Sequence, residues 1–242
     1  MTDLLDSHTH TLASGHAYST IHEMITAAEK KKLSLLAITE HAPEMPGSCH
    51  RIYFDNLRVI PRKYGDITVL FGAELNILNR KGEIDLPEKT LEQLDVVIAS
   101  IHPPCYSENN SEAHMEAYLN VMKNPYVNII GHPDDGRYPL DYEILVKAAR
   151  EHHKLLEVNS SSLAPTSYRV NARENYVEML EYCRKYEVPV VIDSDAHIDQ
   201  AVGEHSLAWE LIMEMAFPER LIANTDLDLY DSFVHFRDCR AF

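Results

Sequence analysis

Cysteine is scarce in this chain: Cys49, Cys105, Cys183 and Cys239 are the only four in 242 residues, widely spaced and without a Cys-x-x-Cys pair. That spacing excludes a disulfide frame and reads as reduced thiols in a cytoplasmic protein. Long apolar runs are also missing. None approaches the ~18 residues that a bilayer span needs, and the first residues lack a basic-then-apolar leader. A soluble chain with no membrane partner is expected. Positive charge is in short supply, with 22 Lys+Arg against 38 Asp+Glu and a net charge of −16. The deficit argues against a broad nucleic-acid surface, and it means that any anion site must be locally positive. Internal repeats, low-complexity segments and composition breaks are absent, so residues 1–242, 45% hydrophobic, read as one domain with a full core.

Histidine, by contrast, is plentiful and its placement is ordered. The run Leu4-Leu5 ends in Asp6-Ser7-His8-Thr9-His10. Residues two apart on a strand point the same way, so His8 and His10 form half of a chelate for a borderline cation such as zinc. Further apolar runs end at His41, Glu74, His102, His132 and Asp195-Ala196-His197. The pattern reads as a set of strands whose carboxyl ends deliver ligands to a common point.

Strands are expected at 4–10, 33–39, 67–74, 95–100, 127–130, 155–159 and 188–192, with Leu221-Ile222 as a doubtful eighth. Helices are expected from the capping box Thr20-Ile21-His22-Glu23 to Lys31, at 57–62, 88–93, 111–122, from Asp141 to His152, from Asn171 to Tyr186, and near 202–215 and 227–237. Residues 42–49 form a loop, and 76–85 an excursion from the third strand. Alternating strands and helices imply a parallel α/β fold. Ligands arriving from nearly every strand end require a closed, TIM-like barrel, because a doubly wound sheet cannot gather them at one mouth.

The strand-end candidates are His8, His10, His41, Glu74, His102, His132, Asp195 and His197, with His16 from a loop. Nine ligands are too many for one ion and suit two or three. Glu74 and Asp195 are the natural bridging carboxylates, since a neutral imidazole has one free lone pair. Asp6 lies two residues before His8 and is a candidate to orient a ligand imidazole. The remaining histidines mostly fall on expected helices and read as surface residues, except His50, whose loop position makes it a candidate substrate contact.

These residues resemble the PHP (polymerase and histidinol phosphatase) metal-dependent phosphoesterase family, from His8-Thr9-His10 to Asp195-Ala196-His197. Between these lie His16, Thr39-Glu40-His41, Gly72-Ala73-Glu74, His102-Pro103 and Gly131-His132-Pro133. The short, stand-alone YcdX-like phosphatases are the most similar branch, through Gly82-Glu83-Ile84-Asp85 and Glu157-Val158-Asn159-Ser160-Ser161. The resemblance implies a distorted seven-stranded (β/α) barrel with three divalent ions, usually zinc, with manganese or iron in relatives. One ion takes His8, His10, Glu74 and Asp195; a second takes Glu74, His102 and His132; the third takes His16, His41 and His197. Pro104-Cys105-Tyr106 and Asp134-Asp135-Gly136 depart from the pattern, at loops that decide the substrate.

The expected function is hydrolysis of a small phosphorylated substrate, a phosphomonoester, with a metal-bridging hydroxide as nucleophile. Arg137 is the first choice for a cationic phosphate contact, then Arg62 and Arg169. The alternatives are a phosphodiesterase or exonuclease with the same site, disfavoured by charge, and a non-catalytic metal-binding module. An amidohydrolase lacks its strand-end lysine here.

Overall fold

Along the second long strand, side chains alternate between two apolar environments. Leu35 and Ala37 join Leu5, Leu70, Ile98, Ile129, Leu155 and Val191 inside the sheet. Leu36 and Ile38 face the other way, into the larger layer packed under the helices. A sheet buried on both faces and curled on itself is a barrel, and the computed structural model, which describes residues 1–235, has that form. The expected helix end at Arg237, and Cys239, lie outside the described residues.

The strands are β1 (Leu5–Asp6), β2 (Leu35–His41), β3 (Lys63–Tyr64), β4 (Ile67–Asn76), β5 (Val97–Ser100), β6 (Ile129–Ile130), β7 (Leu155–Asn159) and β8 (Val190–Asp193). Seven run parallel in the order β1-β2-β4-β5-β6-β7-β8, while β3 pairs antiparallel with β4. The helices are α1 (Ile21–Lys31), α2 (Ile52–Asn56), α3 (Glu88–Leu91), α4 (Ser111–Val121), α5 (Tyr142–Glu151), α6 (Ala172–Tyr186), α7 (Ser206–Glu214) and α8 (Leu227–Val234). The expected α/β barrel with seven parallel strands is the fold observed.

Local chemistry explains most boundaries. Thr20 and Glu23 form the reciprocal capping box that starts α1, and the Asp141 side chain accepts from Ile144 N–H at the start of α5. Asn171 differs from expectation: it sits at φ 55° with no side-chain cap, so α6 starts without one. The short helix expected over 57–62 begins earlier, as α2, and residues 57–59 continue it as a 3₁₀ turn. No helix among the described residues is long and apolar enough to cross a membrane.

The barrel seam lies between β8 and β1. A single parallel bridge, Thr9 with Ala196, joins the two near the mouth. Below it, the doubtful eighth strand is a 3₁₀ turn with Ile222 bridging Val190, and a side chain completes the ladder. Fully buried Asn224 accepts from Ile192 N–H at 2.7 Å and donates to the Ile192 and Leu5 carbonyls at 2.7 and 3.1 Å. Asn224→Leu strands these three backbone groups in a dry seam. The expected loss is about 2–4 kcal/mol of unfolding free energy at unchanged m-value in urea; a loss under ~0.5 kcal/mol would show that water fills the gap.

Candidate metal centre

Period-two alternation carries the inner row of each strand directly to the mouth. On β2 it leads from Leu35 and Ala37 to His41, on β4 from Leu70 to Glu74, and after β5 from Ile98 to His102. The result is a packed cluster. Ring centroids lie 5.0 Å apart for His8 and His10, 4.2 Å for His10 and His41, 4.4 Å for His10 and His197, and 4.8 Å for His16 and His41. His41 and His102 are 5.0 Å apart, His102 and His132 5.2 Å, and His16 and His197 4.9 Å. All seven candidate imidazoles and both carboxylates therefore meet at one place.

Two of these residues reach the cluster only through unusual backbone. His132 has φ 28° and Asp195 φ 55°, conformations that cost a side-chain-bearing residue ~1–3 kcal/mol each. The preceding Gly131 is required for space, since a Cβ there would stand 2.2 Å from Ser100 Oγ. His16 is brought in by a loop crossing at Gly15, φ 77°, where a Cβ would fall 2.0 Å from the Gly47 carbonyl oxygen.

Glu74, fully buried, is the hub. Its Oε1 lies 3.0 Å from His102 Nε2 and 2.8 Å from His132 Nε2; its Oε2 lies 2.7 Å from His41 Nδ1, 3.3 Å from His8 Nε2 and 3.6 Å from His10 Nε2. Asp195 turns Oδ1 toward His10 at 3.3 Å, His197 at 3.5 Å and His8 at 3.7 Å. Its Oδ2 is occupied by Arg169 Nη2 and Asn159 Nδ2, both at 3.1 Å. Of the two carboxylates expected to bridge, only Glu74 presents both oxygens to imidazoles.

The donor set fits divalent cations. His8 Nε2, His10 Nε2, His41 Nδ1 and Glu74 Oε2 are buried with no hydrogen-bond partner, a state that costs ~1–3 kcal/mol per group unless something else binds them. Ligands ~2.0–2.2 Å from a tetrahedral ion stand ~3.3 Å from one another, close to the His8–Glu74 and His10–Asp195 separations of 3.3 Å. Among the described residues, three groups have donor atoms mutually within 4.8 Å: His10, His41 and His197; His8, His10 and Glu74; and His41, Glu74 and His102.

On His8, His10 and His102 the outer ring nitrogen is engaged by an acceptor, which orients the ring. His8 Nδ1–H donates to Glu157 Oε1 at 2.6 Å, and His102 Nδ1–H to Asn76 Oδ1 at 2.7 Å. His10 Nδ1–H donates to Ser14 Oγ at 3.2 Å, whose own proton goes to Glu40 Oε2 at 2.6 Å. Glu157 Oε2 also accepts from His132 N–H at 2.5 Å, so one carboxylate holds ligands from two strands.

Electrostatics follow from the crowding. Burial opposes charge on Glu74, but His102, His8 and His41 outweigh it and hold the carboxyl well below its usual range. Asp195 is likewise held low against burial, chiefly by His8 and His10. Burial alone would neutralise His8, yet Glu157, Glu74 and Asp195 raise it well above an ordinary imidazole. His10 is driven well below, by burial and by neighbouring His41 and His197.

Several expected contacts lie elsewhere. Strand pairing of β1 stops at Asp6, and this side chain does not share the His8 face. It accepts from Ser194 N–H at 3.2 Å, Ser194 Oγ–H at 2.5 Å and Gly203 N–H at 2.8 Å, and faces His205 Nε2 at 3.5 Å; no ligand imidazole is its partner. His205 and His114, expected at the surface, are both 1% exposed. Burial disfavours charge on His205, but Asp6 and Asp3 prevail and raise it to about 10. Arg62 pairs with Asp95 at 2.7 Å and donates to the Leu57 and Ile60 carbonyls, away from the cluster. His50 is exposed and borders a separate surface groove with Ile52 and Val59. Arg137 forks onto Asp135 and does not line the mouth. Arg169 does line it.

From the sequence, Glu157 and Asn159 stand out only within the segment that resembles the YcdX-like phosphatases, without a role, and Asn76 does not stand out. Glu157 and Asn159 continue the inner row of β7 after Leu155, and that register was the available signal.

Comparison with known proteins agrees with this architecture. The chain is 43% identical over 230 residues to a probable phosphatase of Caldicellulosiruptor bescii, covering 95% of each chain. It is 45% identical over 226 residues to one of Caldanaerobacter subterraneus subsp. tengcongensis, covering 93% of this chain and 88% of that one. In fold it is similar to the histidinol phosphate phosphatase of Lactococcus lactis, whose crystal structure holds zinc, L-histidinol and phosphate. The TM-score is 0.62 at 18% identity, over 89% of this chain and 95% of that one. Residues 6–218 match the PHP domain, and the chain belongs to that family.

Proposed function

We propose that this protein is a metal-dependent phosphatase acting on small phosphomonoesters, with three divalent ions, most readily zinc, at the barrel mouth. The observation that carries the reading is the buried cluster converging on Glu74, in which His8 Nε2, His10 Nε2, His41 Nδ1 and Glu74 Oε2 have no hydrogen-bond partner. The relatives named probable phosphatases, and the zinc and phosphate bound by the structural neighbour, support it. His8, His10, Glu74 and Asp195 would hold one ion, Glu74, His102 and His132 a second, and His16, His41 and His197 the third.

When bound, the ions supply positive charge for phosphate oxygens and the acidity that yields a water-derived nucleophile near neutral pH. The chain's own residues do the rest. Glu74 turns one oxygen to His102 and His132 and the other to His8, His10 and His41, and would hold ions on both sides. Asn159 and Arg169 hold Asp195 Oδ2, which leaves Oδ1 directed at the cluster. The Arg169 guanidinium is buried at the mouth beside Asp195 and would be the cationic side chain to meet a docked phosphate. The Arg137 guanidinium packs over the Tyr168 ring, 4.9 Å from its centroid.

The test is metal analysis with an ester panel. Protein loaded with Zn²⁺ or Mn²⁺ is expected to carry about three ions per chain. It should hydrolyse p-nitrophenyl phosphate well, and bis-p-nitrophenyl phosphate and a short oligonucleotide poorly. Zero or one ion and no turnover would support a non-catalytic module; preference for the diester would support a phosphodiesterase.

A further inference from the structure

The mouth opens into a pocket of about 440 Å³, toward the small end of the ~300–1,000 Å³ usual for ligand sites. Its inner end is the metal cluster with Arg169. Its outer part is walled by Met45, Pro46, Pro103, Pro104 and the Tyr168 ring. Charge is almost absent from that outer wall. The one carboxylate among the lining residues is Asp195, already committed to Arg169, Asn159 and the cluster. Tyr168 is 64% exposed, yet its ring is flanked by two guanidinium groups, Arg137 at 4.9 Å and Arg169 at 5.7 Å. Two cations beside the ring steady it by cation–π attraction, and Arg169, which lines the pocket, disfavours a positively charged substrate.

A phosphate bound at the inner end leaves its alcohol part in this outer space. A protonated amine there would meet the Arg169 guanidinium and no free carboxylate. A polyol would lose hydration against prolines and methionine and gain few partners. A flat, uncharged ring would bury apolar area against Tyr168 and the prolines at no polar cost. We propose that the outer pocket selects phosphomonoesters of an uncharged, ring-bearing alcohol, with Tyr168 as the specificity-determining residue. The inference rests on the phosphatase reading for its chemistry. Water adds to phosphorus, the bond from phosphorus to the alcohol oxygen breaks, and a proton from water ends on that oxygen, giving the free alcohol and inorganic phosphate.

Among benzyl phosphate, glycerol 3-phosphate and phosphoethanolamine, the benzyl ester has the most basic leaving alcohol, so a preference for it arises in the outer pocket and not in the chemical step. With zinc-loaded protein, kcat/KM for benzyl phosphate is expected to exceed both others by at least ~10-fold. In Tyr168→Ala that ratio should fall toward one, while Tyr168→Phe keeps it. In parallel, calorimetry should show benzylphosphonate binding at least ~10-fold tighter than 2-aminoethylphosphonate. Equal turnover of the three esters, a preference for the amine, or an unchanged ratio in Tyr168→Ala overturns the inference and leaves the phosphatase reading standing. If no ester turns over but benzylphosphonate keeps its advantage, the phosphatase reading fails and the pocket preference survives. Failure of both phosphonates to bind overturns the preference itself.

Discussion

Glu74→Gln is expected to lower kcat/KM by about a thousandfold, ~4 kcal/mol of transition-state stabilisation, and to leave fewer than two ions bound per chain. The carboxylate is fully buried and its two oxygens face five imidazoles within 3.6 Å. An amide of the same shape has one acceptor oxygen, no charge, and an NH₂ group that must point at nitrogen lone pairs or at cations. Both the span between ion positions and the charge that balances them are lost. Elemental analysis and steady-state kinetics after metal loading check the two parts together. Because the side chain keeps its volume, far-UV dichroism should match the parent. A variant that retains three ions and nearly full turnover would remove Glu74 from the centre of the site.

Glu157→Gln should weaken metal binding and reduce kcat/KM by about 10–100-fold, the usual cost of losing a partner behind a ligand histidine. The native carboxylate accepts from His8 Nδ1–H with one oxygen and from His132 N–H with the other. Glutamine offers one oxygen to two donors. One of those donors is left without an acceptor in a dry environment, and His8 loses the charge that makes its inward nitrogen a better ligand. His132 is also released from the contact that holds its φ of 28°. Competition with a chromophoric chelator gives the metal affinity directly. Unchanged affinity would mean that ring packing alone orients His8. Glu157→Asp, which keeps the charge but shortens the reach, should fall between the two.

The β/α rhythm and the run of histidines at strand ends made the barrel legible from the chain, because both follow from local periodicity. The side chains behind the cluster were less legible. Glu157 sits at an inner position of β7 that reads as one polar residue inside an apolar run, and only the closed sheet reveals its two partners. Asp6, which the sequence allows either to orient a ligand imidazole or to cap backbone N–H groups, does the second, accepting from Ser194 and Gly203 N–H. Counting by two from His8 assumes continuous pleating, whereas pairing of β1 ends at Asp6 and the carboxylate turns to Ser194 and His205. Arg62, Arg137 and Arg169 look alike in sequence. Which of them lines the mouth depends on which acidic partner each finds: Asp95, Asp135 or Asp195. His114 and His205 were assigned to the surface because helical position alone does not reveal a buried acceptor.

Asn224 joins the first and last parallel strands, and this sets an order of events during synthesis. His8 and His10 leave the ribosome early, but their neighbours Asp195 and His197 emerge almost two hundred residues later, and the asparagine that clamps the two edges together comes later still. A nascent chain can therefore build most of the sheet while its histidine cluster stays open along one side, and the cluster is completed only when the seam closes.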